Sequence, residues 1–392
     1  MKLTFIHDGP LFYDDRGVYY EYAYHELYER YSYLADDIAF MMRTKKISGD
    51  KRFTPVPPQV KVVSVPDFKK PELYFRNKPE AEMIVSRQVM ASDILVLRSQ
   101  SSVAQLALKY IKKYDKPYII EAVGCSWDSY WNHGLIGKLV APGMFFKTRS
   151  AIRKAPYVCY VTESFLQKRY PARGKTLSCS NVVLDEISED VLEKRLERLS
   201  SFDPEYSLVL GTAAALDTRY KGQEYVIRAL KDLKDMGYNV RYRLAGGMNG
   251  RQDSCFLREL SEKLGVSELV VFEGSLDMEQ MKAFYDSLDI YIQPSKQEGL
   301  PRSVIEAMSR GCPVTGTDIA GIPELIRPEL LFRKGSPDEV IKGIRKVLSS
   351  DLKKEAADNF RKARKFRRRE LTEKRQLFYD GFLEDMKNKE KL

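Results

Sequence analysis

Two glutamates, Glu298 and Glu306, stand eight positions apart in the stretch 293–326, QPSKQEGLPRSVIEAMSRGCPVTGTDIAGIPELI. An apolar run, a loop with glycine and proline, and an amphipathic run predict a strand end, a turn and a helix. Pro301 suits the first turn of that helix and Gly311 suits its end. The start of such a helix offers backbone N–H groups without intrahelical partners and the positive end of the helix dipole. A diphosphate can dock there without a metal. Carboxylates make poor phosphate ligands and good acceptors for hydroxyls, so the two glutamates suit sugar or ribose hydroxyls on either side of a bound diphosphate.

The elements that must position this stretch are legible through both halves. In the first half the runs 3–7, 61–65, 93–97, 117–123 and 157–161 are nearly continuous in apolar residues. The runs 206–211, 240–246, 269–274, 288–293 and 312–317 repeat the theme in the second half. Such runs are expected of parallel strands covered on both faces. Amphipathic stretches such as QEYVIRALKDLKDM lie between them. The alternation predicts two doubly wound, Rossmann-like α/β sheets. Ligands of such sheets sit beyond the carboxyl ends of the strands.

The chain has 392 residues, which suits two domains. The polar stretch 186–205 is the expected join, giving an N-terminal domain over 1–190 and a C-terminal domain over 204–369. A charged tail begins near 352 and ends in a more apolar segment, LFYDGFLEDM. The opening MKLTFIHDGP reads as a first buried strand rather than a signal peptide.

The formal net charge of +10 favours anionic partners: nucleic acid, a phospholipid surface or phosphorylated substrates. The basic residues are dispersed with no recognition motif, so nucleic acid is not expected. Five cysteines without a Cys-x-x-Cys spacing suggest core thiols in a reducing cytoplasm. Three histidines without paired ligand spacing predict no metal site.

The stretch 293–326 resembles the Glu-x7-Glu signature of glycosyltransferase family 4, retaining enzymes of the GT-B fold. The pair here is Glu298 and Glu306, with PSKQEG leading in and EGLP between strand and helix. The resemblance implies that Glu306 holds the nucleotide ribose and that Glu298 lies near the donor sugar. Backbone at Gly299, Leu300 and Pro301 would contact sugar or diphosphate. In the family a Lys-Gly pair opens an earlier helix and its lysine meets the donor phosphates; Lys221 and Gly222 match it. The family's usual arginine has no counterpart, since Ala215 stands at its spacing, and Arg219 is the substitute. Gly246 in LAGG and Gly274, Ser275 and Leu276 in FEGSLDMEQM correspond to a glycine-rich strand end and a base-contacting loop. The segment near 370–392 corresponds to the last helix that such enzymes pack back on the N-terminal domain. No Asp-x-Asp occurs, and the resemblance implies neither metal nor cofactor.

The first half matches less. Relatives place a histidine after the strand at 117–123; Cys125 or Gly124 stands there instead. Asp128 and His133 are candidates for the sugar-facing role, and the competing reading is a structural one, with Trp127 and Trp131 as packing residues. In the tyrosine-rich stretch 7–31, Gly17 stands singly where relatives have a glycine pair in a glycine-rich turn. The run 135–154 mixes apolar residues with Lys138, Lys147, Arg149, Arg153 and Lys154. It reads either as a membrane-surface element or as a buried helix with a basic outer face.

Taken with the resemblance, the expectation is a retaining glycosyltransferase using a UDP- or GDP-linked sugar. Its acceptor would be a glycan or a polyprenyl-linked saccharide in bacterial surface polysaccharide synthesis. It would work in the cytoplasm or at the inner face of the membrane, with an anionic membrane surface as a further partner. The alternatives are a nucleotide-sugar epimerase of the same fold and a non-catalytic nucleotide-sugar-binding protein.

Overall fold

The computed structural model describes the chain apart from residues 22–24, 48–53, 70, 133, 186, 248–255 and 391–392. It divides into two compact units. Unit 1 comprises Met1–Cys179 and Thr372–Leu392, and unit 2 comprises Ser180–Leu371.

Unit 1 is built on β1 (Lys2–Ile6), β2 (Leu11–Tyr13), β3 (Tyr19–Glu21), β4 (Asp37–Lys46), β5 (Thr54–Pro55), β6 (Lys61–Val65), β7 (Ile94–Arg98), β8 (Tyr118–Ala122), β9 (Tyr157–Tyr160) and β10 (Lys175–Ser178). The main path runs β10-β9-β8-β7-β1-β4, with β6 also paired to β4, all parallel. The carboxyl end of β4 pairs with β2, and β3 and β5 extend this edge antiparallel. The tyrosine-rich stretch after β1 is therefore partly strand and, over His25–Tyr31, helix.

Side chains alternate between the two faces of this sheet, as the strand repeat demands. Leu3, Phe5, Phe40, Ile94 and Val96 enter one core, and Ile6, Met41, Leu95 and Leu97 enter the other. Helices Pro71–Met90 and Ser102–Lys113 cover the second core through Val85, Val89, Ala104 and Ala107. The helix Arg368–Glu390 covers the first with Tyr379 and Phe382. The Tyr157 hydroxyl lies 2.6 Å from the Gly381 carbonyl and 2.7 Å from Asp385 Oδ2, which pins that helix to β9.

A buried charge cluster sits beneath it. Glu121 Oε1 accepts from the Tyr31 hydroxyl at 2.9 Å and faces Arg30 Nη1 at 3.4 Å, while Oε2 faces Arg98 Nε at 3.5 Å. Burial alone would raise the Glu121 pKa, but Arg30 and Arg98 hold it below the ordinary carboxyl value.

Unit 2 carries β11 (Leu208–Ala213), β12 (Val240–Ala245), β13 (Val270–Gly274), β14 (Ile290–Gln293), β15 (Val314–Thr317) and β16 (Leu331–Phe332). Their order is β13-β12-β11-β14-β15-β16, wholly parallel. That is the doubly wound order 3-2-1-4-5-6, whose direction reverses between β11 and β14.

The helix Glu189–Ser200, within the stretch expected to be a join, packs inside unit 2. Arg195 Nη1 and Nη2 donate to the carbonyls of Leu288 (2.6 Å) and Tyr285 (2.8 Å). Arg198 donates to Asp286 (2.9 Å) and Ser287 (2.8 Å). The two guanidinium groups cap the carboxyl end of the helix Met278–Ser287, where orphan carbonyls and the dipole favour cations. The helical pattern of this stretch is visible in the sequence, but its packing is not, because the partners of these arginines lie about ninety positions along the chain.

Candidate functional site

At a topological switch point the loops leaving neighbouring strands diverge and open a crevice. The loop after β11 and the loop after β14 meet at this point in unit 2. Gly222 has a φ of +77°, and a Cβ there would fall 2.0 Å from the Pro294 carbonyl oxygen. Only glycine allows that approach. The Lys296 amide donates to the Tyr220 carbonyl at 2.7 Å, and Lys296 Nζ reaches Glu224 Oε1 at 3.2 Å. The two loops are thus joined before any charged pair is considered.

Across this junction Lys221 Nζ lies 2.7 Å from Glu298 Oε1. The same oxygen accepts from Gln293 Nε2 at 2.9 Å and from the Ser295 hydroxyl at 2.7 Å. Gln293, itself buried, accepts at Oε1 from the hydroxyls of Tyr291 (2.8 Å) and Ser303 (3.2 Å). The Thr317 hydroxyl donates to the Ser295 carbonyl at 2.7 Å. This network joins the carboxyl ends of β14 and β15 to the first turn of the helix Arg302–Ser309. Gln293, Ser295, Tyr291 and Ser303 were not singled out from the sequence. The sequence signal was the polar QPS leading out of an otherwise apolar strand, where a buried polar group needs partners.

Pro301 caps the helix Arg302–Ser309 in an extended conformation, one position before the expected first turn, and no side chain caps that end. The other end closes as expected at Gly311, with φ +61°. The Cys312 amide donates to Ala307 O and the Gly311 amide to Met308 O, the paired bonds of a Schellman motif. Gly299 is tied to the loop after β15, since its carbonyl accepts from the Gly321 amide at 2.9 Å. Leu300 packs against the core of unit 2.

Glu306 projects from this helix. Its Oε2 accepts from the Tyr285 hydroxyl at 2.8 Å, and Oε1 lies 3.8 Å from Arg302 Nη1. Burial pushes the Glu306 carboxyl above its ordinary range, partly offset by the Tyr285 hydrogen bond and the Arg302 charge. Tyr285 also went unmarked in the sequence, where it reads as a core aromatic of an amphipathic helix.

The remaining glycines gather the other strand ends. Gly246 has φ +146°, and a Cβ there would fall 2.1 Å from the Ala214 carbonyl oxygen. Its amide donates to Gly274 O at 2.8 Å, which brings the ends of β11, β12 and β13 together. Gly274 has φ +74° with open space beside it. Ser275 is exposed and Leu276 half-buried, just before the capping box of Asp277 and Gln280. Of the Gly-Gly-x-x-Gly at 246–250, residues 248–250 lie outside the described residues.

Arg219 is not drawn into the Glu298 network. It is 72% exposed on its side chain, 3.9 Å from Glu224 Oε2, and its guanidinium rests 4.4 Å from the Phe256 ring centre. Asp128 stands in unit 1, half-buried in the first turn of the helix Ser126–Trp131. Trp127 and Trp131 stack at 5.1 Å on the same helix. His133 lies outside the described residues. Among the described residues, no cluster of three or more His, Cys, Asp or Glu could hold a metal ion.

Comparison with known proteins bears on the fold and the class of the chain. The family model described as "Glycosyl transferases group 1" matches residues 197–366. Protein CapJ of Staphylococcus aureus is 29% identical over 362 residues, 91% of this chain and 88% of that one. The putative colanic acid biosynthesis glycosyltransferase WcaL of Escherichia coli K12 is 34% identical over 119 residues, 29% of this chain and 28% of its own. Among solved structures, Alr3699/HepE of Anabaena in complex with UDP aligns over 98% of this chain and all of its own, with TM-score 0.65 and 18% identity. Sucrose-phosphate synthase of Thermosynechococcus elongatus aligns over the same shares, with TM-score 0.71 and 14% identity. The fold is GT-B, and the chain is an enzyme of the glycosyltransferase class.

Proposed function

We propose that this chain is a retaining glycosyltransferase of the family 4 type that transfers a sugar from a UDP- or GDP-linked donor to a glycan or polyprenyl-linked saccharide. The single observation that supports it most is the Lys221–Glu298 pair at the β11/β14 switch point, beside an uncapped helix start. A diphosphate there would be neutralised by Lys221 and by the amides that open the helix Arg302–Ser309. Arg219 is close enough in sequence to add a second cation at the rim. Glu306, steadied by Tyr285, would accept from the ribose hydroxyls. Glu298 would accept from a sugar hydroxyl through the oxygen that Lys221 does not hold. Gly246, Gly274, Ser275 and Leu276 would line the base.

In the transfer the bond from the anomeric carbon to the diphosphate oxygen breaks. A bond to the acceptor oxygen forms on the same face, and the acceptor proton passes to the departing diphosphate. The diphosphate thus serves as base, and Lys221 stabilises the charge that develops on it. Asp128 is the candidate from unit 1 for contact with the transferred sugar.

Surface polysaccharide synthesis is the proposed pathway. It is supported by the likeness to WcaL, whose name places that protein in colanic acid synthesis. UDP as the donor nucleotide is supported by HepE, solved with UDP and with UDP-glucose. The test is a thermal-shift screen of UDP- and GDP-sugars, followed by transfer to saccharide and polyprenyl-linked acceptors. Nuclear magnetic resonance of the product then reads the anomeric configuration. Stabilisation by no nucleotide sugar would defeat the proposal, and an inverted anomer would remove the family 4 assignment alone.

A further inference from the structure

Four ionisable side chains lie around the start of the helix Arg302–Ser309: Lys221, Glu298, Arg302 and Glu306. Two cations face two carboxylates, so the set balances only while Arg302 is counted. Without it, one negative charge would stand uncompensated where a nucleoside diphosphate has to dock, and like charges repel. The neighbouring cations are committed elsewhere. Lys296 reaches Glu224 at 3.2 Å, and Arg219 rests on the Phe256 ring.

Arg302 is also badly placed for the helix it opens. It is the first residue, at the positive end of the dipole, where an acidic side chain stabilises and a cation costs. The first turn holds no Asp or Glu. The helices Gln223–Asp235, Met278–Ser287, Pro337–Leu348 and Leu352–Ala363 of the same unit all carry one there. The pair with Glu306 offers little in return. Its basic residue precedes the acidic one, the weaker order for an i, i+4 pair. Nη1 stays 3.8 Å from Oε1, and the arginine side chain is 51% exposed, so the contact contributes little to stability. Residues that break the local rules of their element are expected at functional positions. An anion over this turn would convert each of these costs into an attraction. Long side chains of a helix lean toward its amino end, and a guanidinium there can meet two phosphate oxygens at once.

We infer that Arg302 is a second cation of the donor site, binding the phosphate next to the ribose while Lys221 holds the phosphate that carries the sugar. Position divides the two roles. Glu306, which would grip the ribose, lies one turn along the same helix face as Arg302. Glu298, which would meet the sugar, holds Lys221. The inference rests on the donor reading above and adds a residue to it. The bond that breaks is on the sugar-side phosphate, so Lys221 acts on turnover and Arg302 on donor affinity.

Calorimetry of the full chain with UDP, GDP, UMP and GMP tests it. Arg302→Gln should weaken binding of the preferred nucleoside diphosphate and of its monophosphate alike, by about tenfold. Arg302→Lys should restore part of that loss, and added salt should weaken the wild type more than the glutamine variant. Donor KM should rise by a similar factor while kcat falls less than about threefold. Without nucleotide, Arg302→Gln should melt at or above the wild-type temperature, since a cation leaves the positive end of a dipole. A structural ion pair would show the opposite. A double-mutant cycle separates contact from positioning: in a Glu306→Gln background the loss on Arg302→Gln should persist, and it would vanish if Arg302 only steadied Glu306. Unchanged nucleotide affinity in Arg302→Gln, a loss confined to the diphosphates, or a loss that vanishes in the Glu306→Gln background would overturn this inference and leave the donor site standing. Failure of the wild type to bind either UDP or GDP would remove both.

Discussion

Lys221 Nζ and Glu298 Oε1 are 2.7 Å apart across the two loops of the switch point, and that one carboxylate oxygen also receives Gln293 and Ser295. The lysine is held by a carboxylate that is itself held from two other sides. Its ammonium is therefore positioned before any anion arrives, which is the arrangement that makes electrostatic stabilisation effective. Lys221→Ala should lower turnover by about a hundredfold and weaken donor binding far less. Arg219→Ala should cost less than about tenfold, because that side chain is exposed and screened. Turnover of the best donor from the nucleotide-sugar panel measures both, and equal losses would show that the two cations share one role.

Glu306 gives a pH dependence with a definite sign. Its folded pKa lies above the ordinary carboxyl value, chiefly through burial. Ribose hydroxyls donate best to the ionised form, so donor affinity should rise with pH through that raised pKa. Its contribution to stability has the opposite course, falling as pH rises from the ordinary carboxyl value through the raised one. Donor KM against pH reads the first effect, and Glu306→Gln should flatten it.

Tyr285→Phe removes one hydroxyl and little volume. The Glu306 carboxylate would lose its 2.8 Å donor and its fixed orientation. A net hydrogen bond is worth about 1 kcal/mol, so donor KM should rise roughly fivefold. Turnover should change by less than about twofold, and the melting temperature should stay within a few degrees. A drop in turnover with unchanged KM would mean that Tyr285 acts on something other than the ribose side.

Gly222→Ala tests the junction. A Cβ would meet the Pro294 carbonyl oxygen, and φ +77° is strained for any side chain. Either the loops separate or the strain of about 1–3 kcal/mol stays in the fold. Donor binding by calorimetry should be lost in the first case, and the melting temperature should fall in the second. A variant with normal binding and normal melting would show that the close approach is not required.

The Glu121 cluster makes a prediction for unit 1. Its carboxyl is held below the ordinary value, so its stabilisation is present above that value and lost as pH falls through the depressed one. Glu121→Gln would remove the carboxylate charge that faces Arg30 and Arg98 and should cost about 3–5 kcal/mol. Both tryptophans lie in unit 1, so urea unfolding followed by their emission reports this loss. The variant should also lose the acid-dependent part of the midpoint.

Much of the architecture was readable because parallel strands buried on both faces are plain apolar runs. The runs 3–7, 61–65, 93–97, 117–123 and 157–161 coincide with β1, β6, β7, β8 and β9 to within a residue or two. All five second-half runs fall on β11 to β15, with β11 displaced toward Ala213. The central β4 was missed. Its apolar part, Ile38–Met42, follows the tyrosine-rich stretch and ends in a basic extension, so no turn signal set it off. Short strands such as β2, β3, β10 and β16 carry too few residues for a period to show. The loops around Glu298 were located by residue type, but Tyr285 and Gln293 were not. Their roles depend on partners brought near by the doubly wound order, and nothing local marks them.

The return of the helix Arg368–Glu390 to unit 1 has a bearing on how the molecule is made. A ribosome delivers β1 to β10 first, yet the face that holds Leu3, Phe5 and Phe40 is completed by Tyr379 and Phe382. Until those residues emerge, that face is only partly covered, by residues such as Leu27, Tyr31 and Leu34, while the whole of unit 2 is synthesised and free to fold. The half encoded second would thus reach its native state before the half encoded first, and nascent chains stalled before residue 370 should be the ones that chaperones hold.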